Sequence, residues 1–145
     1  MTCKRDYLPV AIFEGNNLEA LCFKIAQAIR ESKVRFSAIA FQGMSGAMVA
    51  PMVASLLRKK LILVRKKGVL GSHSPYTVEG YLESKTYIIL DDFTESGETC
   101  RNIMESVKNC NAEEKSKPQC RGIFVYEPRS NCYTEVEGVK VRRIV

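Results

Sequence analysis

The sequence holds one histidine, His73, and no Cys-x-x-C pair, so it lacks the ligand spacing of a structural zinc site. Its cysteines are scattered (Cys3, Cys22, Cys100, Cys110, Cys120, Cys132), unlike the framework of a small disulfide-stapled secreted domain. Free thiols in a reducing cytoplasm are expected, with a pair or metal site among Cys110, Cys120 and Cys132 left open. No Gly-x-x-x-x-Gly-Lys-Ser/Thr run occurs, nor a dinucleotide glycine pattern, which counts against a P-loop NTPase and a Rossmann dehydrogenase. No low-complexity tract or fixed-period repeat is visible, so a solenoid is not expected. The first residues, Met1 to Asp6, lack the apolar core of a secretory signal. The stretch from Phe36 to Leu57 carries no charge and is long enough to span a bilayer. Its Gln42, Gly43, Ser45, Gly46, Pro51 and Ser55 instead read as a buried strand, a glycine turn and a buried helix. The expectation is a soluble, cytoplasmic protein that does not enter a membrane.

What remains is a chain of 145 residues, 46% hydrophobic and 26% charged. That is the composition of an ordinary globular protein able to bury a core without staples, and one domain over residues 1–145 is expected. The formal charge is +6, concentrated in Arg58-Lys59-Lys60, Arg65-Lys66-Lys67 and Arg142-Arg143. Such a balance suits nucleic acid and a small polyphosphate equally. Nucleic acid stays open as a partner but is not favoured.

Asn16 followed by Glu19 is an N-cap signature, and Leu18, Leu21, Cys22, Ile25 and Ile29 continue it as a helix to about Ser32. A strand follows around Phe36 to Phe41, then the turn Gly43-Met44-Ser45-Gly46 and a helix to about Arg58. Leu61 to Val64 and Tyr87 to Leu90 are further buried strands. Between them Gly68 to Thr77 reads as an exposed loop. Glu98 to about Asn109 is a helix, Asn111 to Gln119 a polar connector, Gly122 to Tyr126 a fourth strand and Gly138 to Val145 a fifth. Apolar strands without alternation, separated by helices, predict an α/β fold with a parallel twisted sheet of about five strands covered on both faces. Ligands of such sheets sit beyond the C-terminal strand ends, and here three strands run directly into polar, charged or glycine-bearing residues.

The richest of these junctions runs from Tyr87 to Thr99. An apolar strand delivers Asp91 and Asp92 to the sheet edge, and a loop with Thr94, Ser96, Gly97 and Thr99 opens a helix. Hydroxyls, free backbone N–H groups and the positive end of a helix dipole make an anion site, which Gly97 leaves unobstructed. The paired carboxylates suit sugar hydroxyls or a magnesium shell instead. One site therefore offers phosphate recognition beside hydroxyl or metal recognition.

This segment resembles the phosphoribosyl-pyrophosphate (PRPP) motif of type I phosphoribosyltransferases: four apolar residues, two acids, two variable residues, an acid or small residue, Thr or Ser, Gly, any residue, Thr. Ser96 stands where threonine is commoner. Gly43-Met44-Ser45-Gly46 resembles the family's pyrophosphate loop. Leu63 to Gly71 resembles the stretch that leads into the flexible loop of its adenine and orotate branches. The resemblance covers roughly residues 36 to 110.

It implies a PRPP-binding segment over Asp91, Asp92, Phe93, Thr94, Glu95, Ser96, Gly97, Glu98 and Thr99. Within it, Asp91 and Asp92 hold ribose hydroxyls and hydrated Mg2+, and Thr94 to Thr99 cradle the 5-phosphate. Gly43, Met44, Ser45, Gly46, Arg65 and Lys66 take the pyrophosphate, joined by Lys67 and His73, which the resemblance places in the catalytic set. Glu95 sits where 6-oxopurine enzymes carry an aspartate, whereas the Arg-Lys-Lys-Gly stretch looks like the adenine and orotate branches. Glu95 is thus either a general acid or base or a helix N-terminal carboxylate. The resemblance further implies a minimal hood built from the termini, with Tyr126 stacking on a base and Glu127 or Arg129 reading its edge. The implied activity transfers 5-phosphoribosyl from PRPP to a nucleobase or similar nitrogen acceptor. The alternative is a non-catalytic regulatory member of the fold that binds nucleotide or RNA. A homodimer is expected.

Overall fold

The computed structural model describes residues 14–66, 76–110, 117–127 and 133–144. The elements run α1 (Gly15–Glu31), β1 (Ala38–Gln42), α2 (Gly43–Leu57), β2 (Lys60–Val64), β3 (Val78–Gly80), β4 (Thr86–Asp91), α3 (Glu98–Cys110), β5 (Gln119–Val125), β6 (Glu135–Val136) and β7 (Val139–Arg143). They form a seven-stranded sheet of order β3-β2-β1-β4-β5-β7-β6. The interior pairs β2–β1, β1–β4, β4–β5 and β5–β7 are parallel, while β3 and β6 close the two edges antiparallel.

The unbroken apolar strands follow from helices on both faces. Ile39 and Phe41 of β1, Ile88 and Leu90 of β4 and Phe124 of β5 pack with Cys22, Ile25 and Ile29 of α1 and Val49 and Val53 of α2. Their alternate neighbours Ala38, Ala40, Tyr87, Ile89, Ile123 and Val125 pack with Cys100, Ile103 and Val107 of α3. With each face buried, the middle of β1 and of β4 holds apolar residues on both sides, polar ones come only at the strand ends, and period two disappears. Among the described residues, no helix is long and apolar enough to cross a membrane; the uncharged stretch from Phe36 to Leu57 is largely β1 and α2.

Helix α1 starts at Gly15 with Glu14 at its N-cap, and no side chain caps it. Asn17 donates its side-chain amide to the Glu14 carboxylate, so the pair Asn16 and Glu19 does not form the expected cap. The edge strands β3 and β6 span three and two residues, too short to show a hydrophobic period. β6 and β7 are joined through Glu137 and Gly138, at φ 50° and 77°, the two left-handed positions of a type I′ hairpin turn. Cys22, Cys100, Cys110 and Cys120 are free thiols; Cys3 and Cys132 lie outside the described residues.

Candidate functional site

In a sheet of this order the chain leaves β1 toward β2 on one side and later returns to β4 on the other. The order therefore reverses between β1 and β4, and a crevice opens beyond their C-terminal ends. A cavity of about 250 Å³ lies there. Its wall is contributed by the β1–α2 junction (Gln42 to Ser45), by Lys66 after β2, and by the continuous run from Asp91 through Cys100.

The two junctions meet at a hydrogen bond between side chains distant in sequence. Ser45 Oγ donates to Asp91 Oδ1 at 3.1 Å, and the Asp92 amide donates to the same oxygen at 2.9 Å. Asp92 Oδ1 in turn accepts from the Phe93 amide at 2.8 Å. Both aspartates are 5% exposed. Burial first, and then the neighbouring Asp92 charge, push the Asp91 carboxyl well above the usual carboxylate range, against the lowering pull of the hydrogen bonds from the Asp92 amide and the Ser45 hydroxyl.

The rest of the loop is built around left-handed backbone. Gly97 has φ 73°, and a Cβ there would come within 3.2 Å of Val136 and 3.4 Å of the Arg101 guanidinium. Ser96 Oγ accepts from the Glu98 amide at 3.3 Å at the start of α3. The first-turn N–H groups of a helix have no intrahelical acceptor. Thr94, 3% exposed, has a hydroxyl buried without a hydrogen-bond partner among the described residues. A helix N-terminus beside one unsatisfied buried hydroxyl fits a bound oxyanion. Arg101, not singled out in the sequence, braces this loop: it donates to Ser96 O at 2.8 Å and to Glu137 of the β6–β7 turn at 3.1 Å. Spacing within α3 gave no sign of it, because its partners are a backbone carbonyl and a distant hairpin.

Across the cavity, Gly43 has φ 76°, and a Cβ there would meet Lys66 Cε at 3.4 Å, so the lysine arm lies over this glycine. Met44 is 63% exposed on the cavity wall. Gln42, also missed in the sequence, ties the ends of β1 and β2 by donating to Arg65 O at 3.1 Å.

Three of the expected site residues make contacts away from the cavity. Gly46 does not line the cavity; it lies against Phe41, whose Cβ would stand 2.8 Å from an added Cβ. Arg65 turns to the sheet edge and pairs with Glu79 of β3 at 2.8 Å. Tyr126 is 6% exposed within the α1–α2 core and donates its hydroxyl to Ser45 O at 2.9 Å, so it offers no face for a base. Glu127 is half-buried, and its amide donates to Asp92 O at 2.7 Å. Lys67, His73, Arg129, nearly all of the Gly68 to Thr77 loop and the N-terminal part of any hood lie outside the described residues.

No cluster of three or more His, Cys, Asp or Glu side chains that could hold a metal occurs among the described residues. Two adjacent carboxylates beside an oxyanion loop still fit Mg2+, which uses one or two carboxylates plus substrate oxygens and water more often than an all-protein cage.

Solved structures of orotate and adenine phosphoribosyltransferases, of the type I fold, share this architecture. Orotate phosphoribosyltransferase of Francisella tularensis matches at TM-score 0.63 and 17% identity, over 81% of this chain and 55% of that one. The orotate enzyme of Mycobacterium tuberculosis, in complex with PRPP, matches at TM-score 0.64 and 12% identity, over 92% and 75%. Adenine phosphoribosyltransferase of Thermoanaerobacter pseudethanolicus matches at TM-score 0.62 and 15% identity, over 92% and 83%. The chain thus spans little more than half the length of the first of these. No protein-family model matches the sequence, and no curated protein does.

Proposed function

We propose that the cavity binds PRPP and that the protein transfers its 5-phosphoribosyl group to a nitrogen of a nucleobase or similar acceptor. The observation that carries this reading is the meeting of Ser45 and Asp91 at the reversal point, with hydroxyl-binding carboxylates on one side and an oxyanion loop on the other. In that reaction the C1–O bond to pyrophosphate breaks, a C1–N bond forms and the nitrogen gives up its proton. Asp91 and Asp92 take the ribose hydroxyls, the Thr94 to Thr99 loop takes the 5-phosphate, and the Gly43 to Ser45 backbone with Lys66 faces the pyrophosphate. Catalysis of this kind rests on positioning and on charge stabilisation.

The charges within the cavity bear on the cofactor. Asp91, Asp92, Glu95 and Glu98 oppose the single ammonium of Lys66 among the described lining residues. A polyphosphate entering such a wall needs its charge offset, which supports Mg2+ as the cofactor. Asp91 and Asp92 are the residues that would hold it. When bound, Mg2+ supplies neutralisation of pyrophosphate charge.

The test is thermal stabilisation by PRPP with Mg2+, followed by pyrophosphate release with a panel of bases. A ligand that binds only the folded state raises its Tm; no shift at millimolar ligand overturns the assignment. The engagement of Arg65 with Glu79 and of Tyr126 with Ser45 favours one second reading, a regulatory member that binds without turnover. Stabilisation without pyrophosphate release for any base selects it.

A further inference from the structure

The parallel strands that end at the cavity all begin at the opposite edge of the sheet, and that edge is basic. Lys33 and Arg35 precede β1, Lys59 precedes and Lys60 begins β2, Lys85 precedes β4, and Lys117 and Arg121 flank the start of β5. All are exposed except Lys59, which is half-buried. None of these seven pairs with a carboxylate among the described residues. The nearby acids in sequence are Glu31 and Glu83.

Helix C-termini also end at this edge, and their negative dipole ends favour nearby cations. That accounts for Arg30 and Lys108, which occupy last turns, and for the C-cap Arg58. It extends to Lys33 and Lys59, each one residue past a C-cap, but gives no reason for Arg35, Lys60, Lys85, Lys117 or Arg121. Arg121 is further set apart by the β4–β5 register, in which Tyr87 pairs with Cys120 and Ile88 with Gly122. Arg121 is the extra residue of this bulge, a device that re-aims a side chain. It lines two shallow grooves. One, of about 540 Å³, is shared with Arg35 and with Ser37 and Thr86, whose hydroxyls hydrogen-bond at 3.2 Å. The other, of about 630 Å³, is shared with Lys108 and Lys117.

We propose that this edge binds single-stranded nucleic acid along its phosphate backbone. Strands lie about 4.8 Å apart, so from β2 to β5 the cationic row extends roughly 14 Å, longer than a single phosphate or diphosphate occupies. Tyr81, 41% exposed with Lys60 Nζ 5.3 Å from its ring centre, stands at the β2 end and offers a face for a base. Stacking combined with a basic track is how single strands are held without sequence preference. A membrane-binding surface needs several large apolar side chains to insert. Of the exposed large hydrophobic residues, only Tyr81 sits beside this row among the described residues.

The test is fluorescence anisotropy of the full chain with a labelled 20-nucleotide homopolymer, titrated at several salt concentrations. Neutralising four or five phosphates gives a log K against log salt slope of about −3 for a single strand. Arg35→Ala with Arg121→Ala should weaken binding at least tenfold and flatten the slope by roughly 1.4, two contacts at about 0.7 each. Lys85→Ala with Lys117→Ala should do the same from an independent pair. No binding at low salt, affinity unchanged in both double variants, an equal loss from Lys66→Ala in the opposite cavity, or tighter binding to phosphatidylserine vesicles than to the oligonucleotide would each overturn the proposal.

Discussion

At the β1–α2 junction the helix begins on the residue after the strand, whereas at β4–α3 the segment Asp92 to Gly97 intervenes. The first junction is closed by packing. Gly46 sits against Phe41, and Tyr126 fixes Ser45 from below. The second is held open, with buried carboxylates at its root, a left-handed glycine at its tip, and Arg101 bracing it to the β6–β7 turn. Closely packed backbone thus faces a loop rich in polar side chains, and the Ser45–Asp91 hydrogen bond joins the two. A ligand-binding crevice built this way keeps one wall preorganised and spends its polar chemistry on the other.

If the open junction carries ligand recognition, its carboxylates should dominate the substitution effects. Asp92→Asn should raise the KM or Kd for PRPP on the order of 10²-fold, since losing a hydrogen bond to a charged group costs about 1.5–3 kcal/mol. Steady-state kinetics or ligand-induced Tm shifts measure it. Unaltered PRPP affinity would move ligand recognition away from this loop.

The closed junction should respond in stability. Gly46→Ala places a carbon 2.8 Å from Phe41 Cβ, an atom next to the backbone that cannot swing aside, and overpacking of this kind costs about 1–3 kcal/mol. Gly43→Ala meets only the flexible end of Lys66 at 3.4 Å, so its cost is the left-handed strain of about 1 kcal/mol. Urea unfolding of the two variants separates them. Equal losses would show that packing at Gly46 is not what closes the junction.

Asp91 offers a subtler probe of the root of the loop. Its folded-state carboxyl is raised above the ordinary value by burial and by Asp92, so between the ordinary and the raised value the native state binds more protons than the unfolded one. Stability of the ligand-free protein should then be fully present below the ordinary carboxylate range and decline as pH rises through the raised value. Asp91→Asn should flatten that decline. Thermal melts across pH 4 to 8 with and without the substitution report it; parallel curves would mean that Asp91 does not titrate in this window.

The open junction was also the legible one. Two acids after an apolar strand and a Ser-Gly-x-Thr turn before a helix carry their chemistry in residue type, so local sequence placed them. The positions of β1, β2 and β4 followed from short apolar runs, and that of α3 from Ile103, Met104 and Val107 on one helical face. What escaped were contacts between distant segments: Arg101 reaching Ser96 and Glu137, Gln42 bridging to Arg65, and the bulge that frees Arg121. The same blindness hid the contacts that Tyr126 and Arg65 make. An aromatic at a strand end and a cation beside a glycine loop look available until the core or an edge-strand glutamate claims them.

Glu95 carries the smallest expected effect and the sharpest fork. It is exposed, lines the cavity and lies three residues before the start of α3, a position compatible with acid–base work on an acceptor and with simple attraction to the helix dipole. As a dipole residue it contributes at most about 1 kcal/mol of stability, and Glu95→Gln should leave turnover and PRPP affinity almost unchanged. As a general acid or base, the same substitution should lower kcat on the order of 10²-fold or more with PRPP affinity intact. Its exposure favours the first outcome, because a proton-transfer group needs a fixed approach to the reacting atom. The kcat of Glu95→Gln, measured beside its PRPP-induced Tm shift, decides between them. A hundredfold fall with an unchanged shift would make Glu95 a catalytic residue and extend the chemistry of the open junction from sugar phosphate to the acceptor.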